Sequence, residues 1–326
     1  MKLPKLLRKS TPPARGAASI VLDGEVSEEI LSAKELLESG RGAEAFAALN
    51  RLKARRQPVR HADYLRAHYF LQANLPGDAV VALQEELRWF PDSKGAQEHL
   101  RRLAPPPAAD SVSDPEFARL LSIIRPYSML GEPRLWSLFQ LGKAVGSEDL
   151  PGNFVECGVA GGGSSALLAA VMTTHGRRPR WMYSCDTFSG LPEASAVDTH
   201  DGVTAQSAGW GAGTCAAPES SLREVCGKLG VNDRVRAVRG FFADTLPAAR
   251  AEIGPIALLH MDGDWHESTR NILDNLFDNV VAGGRIQIDD YGYWQGCKLA
   301  LDEFQRERGL KFELHRIDET GVWMRK

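Results

Sequence analysis

Two short apolar runs that break off in carboxylates constrain this chain more than any other feature. One is Pro255 to Met261, followed by Asp262-Gly263-Asp264; the other is Arg285 to Ile288, followed by Asp289-Asp290. A buried parallel strand reads as a near-continuous apolar run, and open parallel sheets bind ligands beyond the carboxyl ends of their strands. The runs therefore predict adjacent strands whose ends bring Asp262, Asp289 and Asp290 together. Crowded carboxylates repel, and a hard divalent cation such as Mg2+ is their usual counter-charge. The bland alternative is a set of capping and solvated loop carboxylates.

Strands and helices alternate around this pair. Strands are predicted at 153–157, 181–185, 234–239, 255–261 and 285–288, and helices at 164–175, 266–279 and 294–308. Two closing strands, 312–316 and 321–325, flank a hairpin-like turn at Asp318 to Gly321, so one of them should be antiparallel. A helical stretch from Glu116 to Val145, broken at Arg125-Pro126, precedes the first strand. Such alternation predicts an α/β, Rossmann-like fold with a mostly parallel sheet and helices on both faces.

The chain ahead of it differs. Residues 1–25 contain Pro12-Pro13 and lack periodicity, which predicts a disordered tail. Residues 26–103 are helical in pattern and repeat at an offset of 34: Glu44 to Leu49 aligns with Asp78 to Leu83, Leu36-Leu37 with Phe70-Leu71, and Gly40 with Asn74. A 34-residue period with two helices per unit resembles tetratricopeptide repeats. That region suits either a dimerising or partner-binding face or a cap on the domain that follows. Residues 104–115 hold three consecutive prolines, which predicts a linker, with the second domain at 116–326.

Charge and cysteines exclude several classes. The formal net charge of -3 offers no basic footprint for nucleic acid. Five cysteines without a CxxC pair fit neither a disulfide framework nor a zinc site, and match a reducing cytoplasm. No apolar run approaches the ~20 residues that span a bilayer. The basic start, interrupted by Pro4, lacks the apolar core of a signal peptide.

Further motifs carry chemistry. Val155 to Ser165 is a strand running into a glycine turn that opens a helix, with Gly158, Gly161, Ser164 and Ser165 as candidate ligand contacts. Glu156 stands before the first glycine, where a carboxylate suits a cationic ligand better than a pyrophosphate. Asp186 ends the second strand, where an acid accepts ribose hydroxyls, and Phe188 follows it. Gly240, Phe241 and Phe242 follow the third strand and could flank an adenine. These residues fit S-adenosylmethionine, whose methyl an activated hydroxyl would attack beside a cation at Asp262, Asp289 and Asp290. Asp262 or His266 could take the hydroxyl proton; Asp264 is a supporting or alternate ligand. A dinucleotide oxidoreductase shares the glycine turn but has no use for three clustered aspartates. A scaffold that has lost activity would not need every acid in place.

From about Tyr127 to its end the chain resembles the macrocin O-methyltransferase family, which modifies sugar hydroxyls on natural products. The resemblance rests on Glu156-Cys157-Gly158-Val159, Asp186 to Pro192, Asp244-Thr245-Leu246-Pro247, Asp262 to Thr269, Asp289 to Gly292 and Gly296 to Phe304. It implies a class I methyltransferase fold, S-adenosylmethionine, a magnesium-type ion on Asp262, Asp289 and Asp290, and a saccharide or other hydroxylated acceptor. It also implies that Tyr127 to Met129 lines the cofactor mouth. The chain departs from the family at Ala160-Gly161-Gly162-Gly163, where an aromatic and an arginine are frequent. It departs again at 193–219, a Gly-, Ala- and Ser-rich stretch with Trp210 and Cys215, expected to be a mobile lid over the acceptor.

Overall fold

A computed structural model describes residues 20–53, 55, 58–73, 75–103 and 114–326. The tail before residue 20, Asn74 of the repeat, and the linker up to residue 113 lie outside the described residues.

The helical region runs through α1 (Glu28–Glu38), α2 (Gly42–Lys53), α3 (Ala62–Gln72), α4 (Pro76–Trp89) and α5 (Lys94–Leu103). Helices α3 and α4 start 34 residues after α1 and α2 respectively. Their apolar faces close on a separate core around Ile30, Leu37, Leu49, Leu65, Phe70 and Leu83. Asp114, which falls within the expected linker, caps the next helix by accepting from the N–H groups of Glu116 and Phe117, with Pro115 at its first position.

The second region continues with α6 (Pro115–Ile124) and α7 (Glu132–Ser147), interrupted by a 3-10 turn at Arg125–Tyr127. It then alternates: β1 (Asn153–Cys157), α8 (Gly163–His175), β2 (Met182–Asp186), a small hairpin of β3 (Thr199–His200) and β4 (Val203–Thr204), and α9 (Glu219–Lys228). There follow β5 (Val235–Arg239), α10 (Phe242–Ile253), β6 (Ile256–Met261), α11 (His266–Leu276), β7 (Val280–Ile288), α12 (Gln295–Arg308), β8 (His315–Arg316) and β9 (Val322–Arg325).

The main sheet has the order β5-β2-β1-β6-β7-β9-β8. The first five strands are parallel, β9 is antiparallel to β7, and β8 pairs back on β9. Strand β7 begins at Val280, five residues before the predicted start, because Val280 pairs with Ile256 across an irregularity in the register. One core, with Phe139, Phe154 and Leu168, lies under α6 to α9; the other, with Leu259, Ile272 and Phe304, lies under α10 to α12. The order reverses between β1 and β6, which places the switch point beside Gly158 and Asp262. No helix among the described residues is long and apolar enough to cross a membrane.

The helical region sits on the segment expected to be a mobile lid. Fully buried Arg66 donates to Asp63 (2.7 Å) and to the Ala208 carbonyl oxygen (3.0 Å). Its guanidinium lies within 6 Å of the ring centres of Phe46, Phe70 and Trp210. Trp210 and Asp198 of this segment are buried. The structure therefore packs the segment between the two regions.

Glu86, buried in the helical region, accepts from the backbone N–H of His61 (2.8 Å) and Tyr64 (3.3 Å). Burial pushes its pKa up to about 7 from an ordinary 4.5. The proton is thus held longer by the folded chain, so stability is full below the ordinary value and falls as pH rises through about 7. The loss is about 3 kcal/mol at most. Thermal midpoints should fall between pH 5 and pH 8, and the slope should flatten in Glu86→Gln; an unchanged slope refutes this account.

Candidate active site

The site begins one residue layer inside the strand ends. Ser184, Glu156, His260 and Gln287 stand in register across β2, β1, β6 and β7, forming a polar row through a sheet buried on both faces. Side chains alternate along a strand, so the row shares a face with the residues two positions on: Asp186, Gly158, Asp262 and Asp289.

Each charged group in the row has a partner among the described residues. His260 Nδ1 lies 2.7 Å from Glu156 and Nε2 lies 3.0 Å from Asp289. Ser165 on α8 donates to Glu156 and contacts Ser184. Arg134 on α7 donates to Asp289 (3.3 Å) and Asp318 (2.9 Å), and Gln287 donates to Asp289 (3.0 Å). Burial opposes charge on His260, but Asp289 and Glu156 outweigh it and hold the imidazole pKa well above its ordinary value. Burial likewise opposes ionised Asp289, yet His260 and Arg134 hold its pKa down at about 2.

The carboxylates beyond the row lack this compensation. Oxygens of Asp262, Asp264 and Asp290 lie within 4.8 Å of one another, and so do ligand atoms of His260, Asp262 and Asp289. Asp262 belongs to both groups and makes no side-chain hydrogen bond among the described residues. Burial, then Asp289 and Asp290, pushes its pKa well up. Burial and Asp290 do the same to Asp264. Asp290 is pushed up to about 6 by burial and by Asp289. Asp264 has a left-handed backbone (φ 58°), and its carboxylate accepts from Trp294 Nε1 at 3.1 Å. Strain at a cavity-lining carboxylate is a pattern of functional positions.

A cavity of about 410 Å³ opens over these ends. Among the expected site residues, Met129, Gly158, Ser164, Asp186, Phe241, Phe242, Asp262 and Asp290 line it. Gly158 must be glycine: at φ 97° a Cβ would collide with the carbonyl oxygen of Asp262. Asp186 accepts from the N–H groups of Val159 (2.7 Å), Ala160 (3.1 Å) and Phe188 (2.6 Å), which ties the glycine turn to β2.

Other expected residues lie off the cavity. Glu156 and Ser165 are buried behind the glycine turn, so Glu156 faces a histidine of the protein and not a cationic ligand. Phe188 is in the core and Gly240 packs against Thr245. The backbone of Tyr127 covers Gly161, while its hydroxyl turns to Glu224. Asp289 is enclosed by His260, Gln287 and Arg134. His266 starts α11, where its backbone N–H donates to Asp198 (2.7 Å) and its ring meets Glu303 on α12 (2.7 Å). The His266 ring thus meets Glu303 and does not line the cavity.

Arg134, Asp198 and Trp294 line the cavity and were not anticipated. Nothing near Arg134 in the sequence marks it, since its partner Asp289 is 155 residues away. Val81 and Gln84 of α4 line it as well.

A family model described as macrocin-O-methyltransferase (TylF) matches residues 122–326. The 8-demethyl-8-(2,3-dimethoxy-alpha-L-rhamnosyl)-tetracenomycin-C 4'-O-methyltransferase of Streptomyces olivaceus is 35% identical over 200 residues, covering 61% of this chain and 75% of its own. The demethyldecarbamoylnovobiocin O-methyltransferase of Streptomyces niveus is 33% identical over 201 residues, covering 61% and 76%. The structure of the O-methyltransferase NovP is similar at 33% identity and a TM-score of 0.56, covering 61% of this chain and 82% of NovP. CalS11, a calicheamicin methyltransferase, shares the fold at 21% identity and a TM-score of 0.51, over 69% of this chain and 95% of its own.

Removing His260 would leave Glu156 and Asp289 buried without their shared cation. His260→Leu should therefore cost about 3–5 kcal/mol. Chemical denaturation checks it, and an unchanged midpoint would show that the row does not depend on the imidazolium.

Proposed function

The chain belongs to the macrocin-O-methyltransferase family, and from that premise we propose that it methylates a hydroxyl of a sugar on a natural product or polysaccharide, using S-adenosylmethionine and a divalent cation. The observation that carries this reading is Asp262, which has no side-chain hydrogen bond among the described residues and is shared by two groups of possible metal ligands, at the switch point and beside a glycine turn. The relatives' names supply the acceptor class: one acts on a rhamnosyl-bearing tetracenomycin, another on demethyldecarbamoylnovobiocin.

S-adenosylmethionine supplies an electrophilic sulfonium methyl. Asp186 and the glycine turn would receive its ribose and amino-acid ends, and Phe241 and Phe242 its adenine. Phe241 is 49% exposed in the described structure, as an open stacking face would be.

The acids fit a magnesium-type cation. Asp262 and Asp290 would hold it, with ionised Asp289 behind them giving a fixed negative charge. Such a cation lowers the pKa of a hydroxyl bound to it. Asp264 is then the acceptor of the hydroxyl proton. It lines the cavity, and the Trp294 indole N–H orients it. The aromatic walls Trp294, Tyr293 and Trp210 would exclude water from the acceptor.

We read residues 26–103 as a tetratricopeptide-like domain and 116–326 as the catalytic domain. The 34-residue recurrence of helix starts and the separate core around Leu65 support that division.

Asp264→Asn should lower kcat about 10²- to 10⁴-fold, while calorimetric binding of S-adenosylhomocysteine and of Mg2+ stays within twofold. Near-normal turnover would remove Asp264 as the base. Asp262→Ala should abolish Mg2+ binding, and excess chelator should abolish turnover of the unaltered enzyme. Full turnover in chelator would eliminate the cation from the reaction.

A further inference from the structure

Helix α4 brings to the cavity what the family-matched residues 122–326 do not contain. Asp78, Val81, Gln84 and Arg88 recur at three- and four-residue spacing, so they form one stripe on the helix. Both ends of the stripe are anchored to the catalytic region. At one end buried Asp78 accepts from the Tyr293 hydroxyl. Tyr293 stacks on His200 with ring centres 4.0 Å apart, and His200 Nδ1 lies 2.8 Å from the Tyr293 carbonyl oxygen. At the other end Arg88 donates to the carbonyl oxygens of Cys215 (3.4 Å) and Ala216 (3.2 Å) and meets the Met129 sulfur at 3.4 Å.

The ten-residue step from Asp78 to Arg88 spans about 15 Å of helix, and the two residues inside it, Val81 and Gln84, line the cavity. Val81 packs on the catalytic core. Gln84 is half-buried, and its amide makes no hydrogen bond among the described residues. An amide offers donors and an acceptor at once, which matches a sugar hydroxyl. The Asp78 end is fixed to Tyr293, next to Trp294, which holds Asp264. The stripe therefore runs from beside the reacting carboxylates toward Met129.

We propose that α4 is the acceptor-side wall of the site, with Gln84 reading an acceptor hydroxyl and Val81 limiting acceptor bulk. This rests on the cavity being an O-methylation site, as argued above. It makes the helical domain a determinant of specificity.

The test uses the full chain with methyl and p-nitrophenyl α-L-rhamnopyranoside as probes. Gln84→Ala should raise KM for either glycoside about three- to tenfold, the worth of one hydrogen bond. Its kcat and its KM for S-adenosylmethionine should stay within twofold. Val81→Phe should penalise the p-nitrophenyl glycoside more than the methyl one. Gln84→Met, which keeps the length and loses the amide, repeats the measurement if Gln84→Ala fails to bind S-adenosylhomocysteine. An unchanged glycoside KM, or an equal rise in the S-adenosylmethionine KM, overturns the proposal while leaving the O-methylation reading intact. Unaltered enzyme that binds S-adenosylhomocysteine but methylates neither glycoside overturns this inference together with the acceptor class.

Discussion

The His260 imidazolium between Glu156 and Asp289 is the interaction on which the rest of the site depends. All three side chains are buried, Glu156 and His260 within a sheet covered on both faces and Asp289 just past the end of β7. A lone ion there would be untenable, so the row holds only because each charge has a partner: Ser165 and His260 for Glu156, His260 and Arg134 for Asp289. The strand register supplies that geometry, since Glu156 and His260 are direct partners in the β1–β6 ladder.

The row sets the electrostatics of the layer above it. It keeps Asp289 ionised at the inner edge of the acidic cluster, while Asp262, Asp264 and Asp290 rise for want of cations of their own. A cavity floor of this kind is costly for the protein alone and well suited to a bound cation. The glycine turn fits the same layer, because Gly158 allows β1 to pass against the Asp262 carbonyl with no side chain between them.

The helical region completes the enclosure. Arg66 fastens α3 to Ala208 and Trp210, and Asp78 and Arg88 fasten α4 to either side of the mouth. The Gly-, Ala- and Ser-rich stretch that reads as a loose lid is instead packed between two regions. Its small residues allow close approach, as where Gly209 lies against Arg66 and Asn50.

Much of this was legible in the residues. Apolar runs ending in acids located β6 and β7 and the Asp262 and Asp290 positions, because strand burial and strand ends leave a local signature. The 34-residue offset located the paired helices for the same reason. What the sequence could not determine were partners across distance. Glu156 looked like a ligand group and is spoken for by His260, and His266 looked like a base and belongs to Glu303. Arg134 and Gln84 carry no local mark. Periodicity and strand ends are properties of neighbouring residues, and so the chain alone determined the elements and the acids at their tips. Which acid is neutralised, which faces the cavity and which helix covers it are set by side chains that meet only when the sheet closes, and tertiary structure decided those.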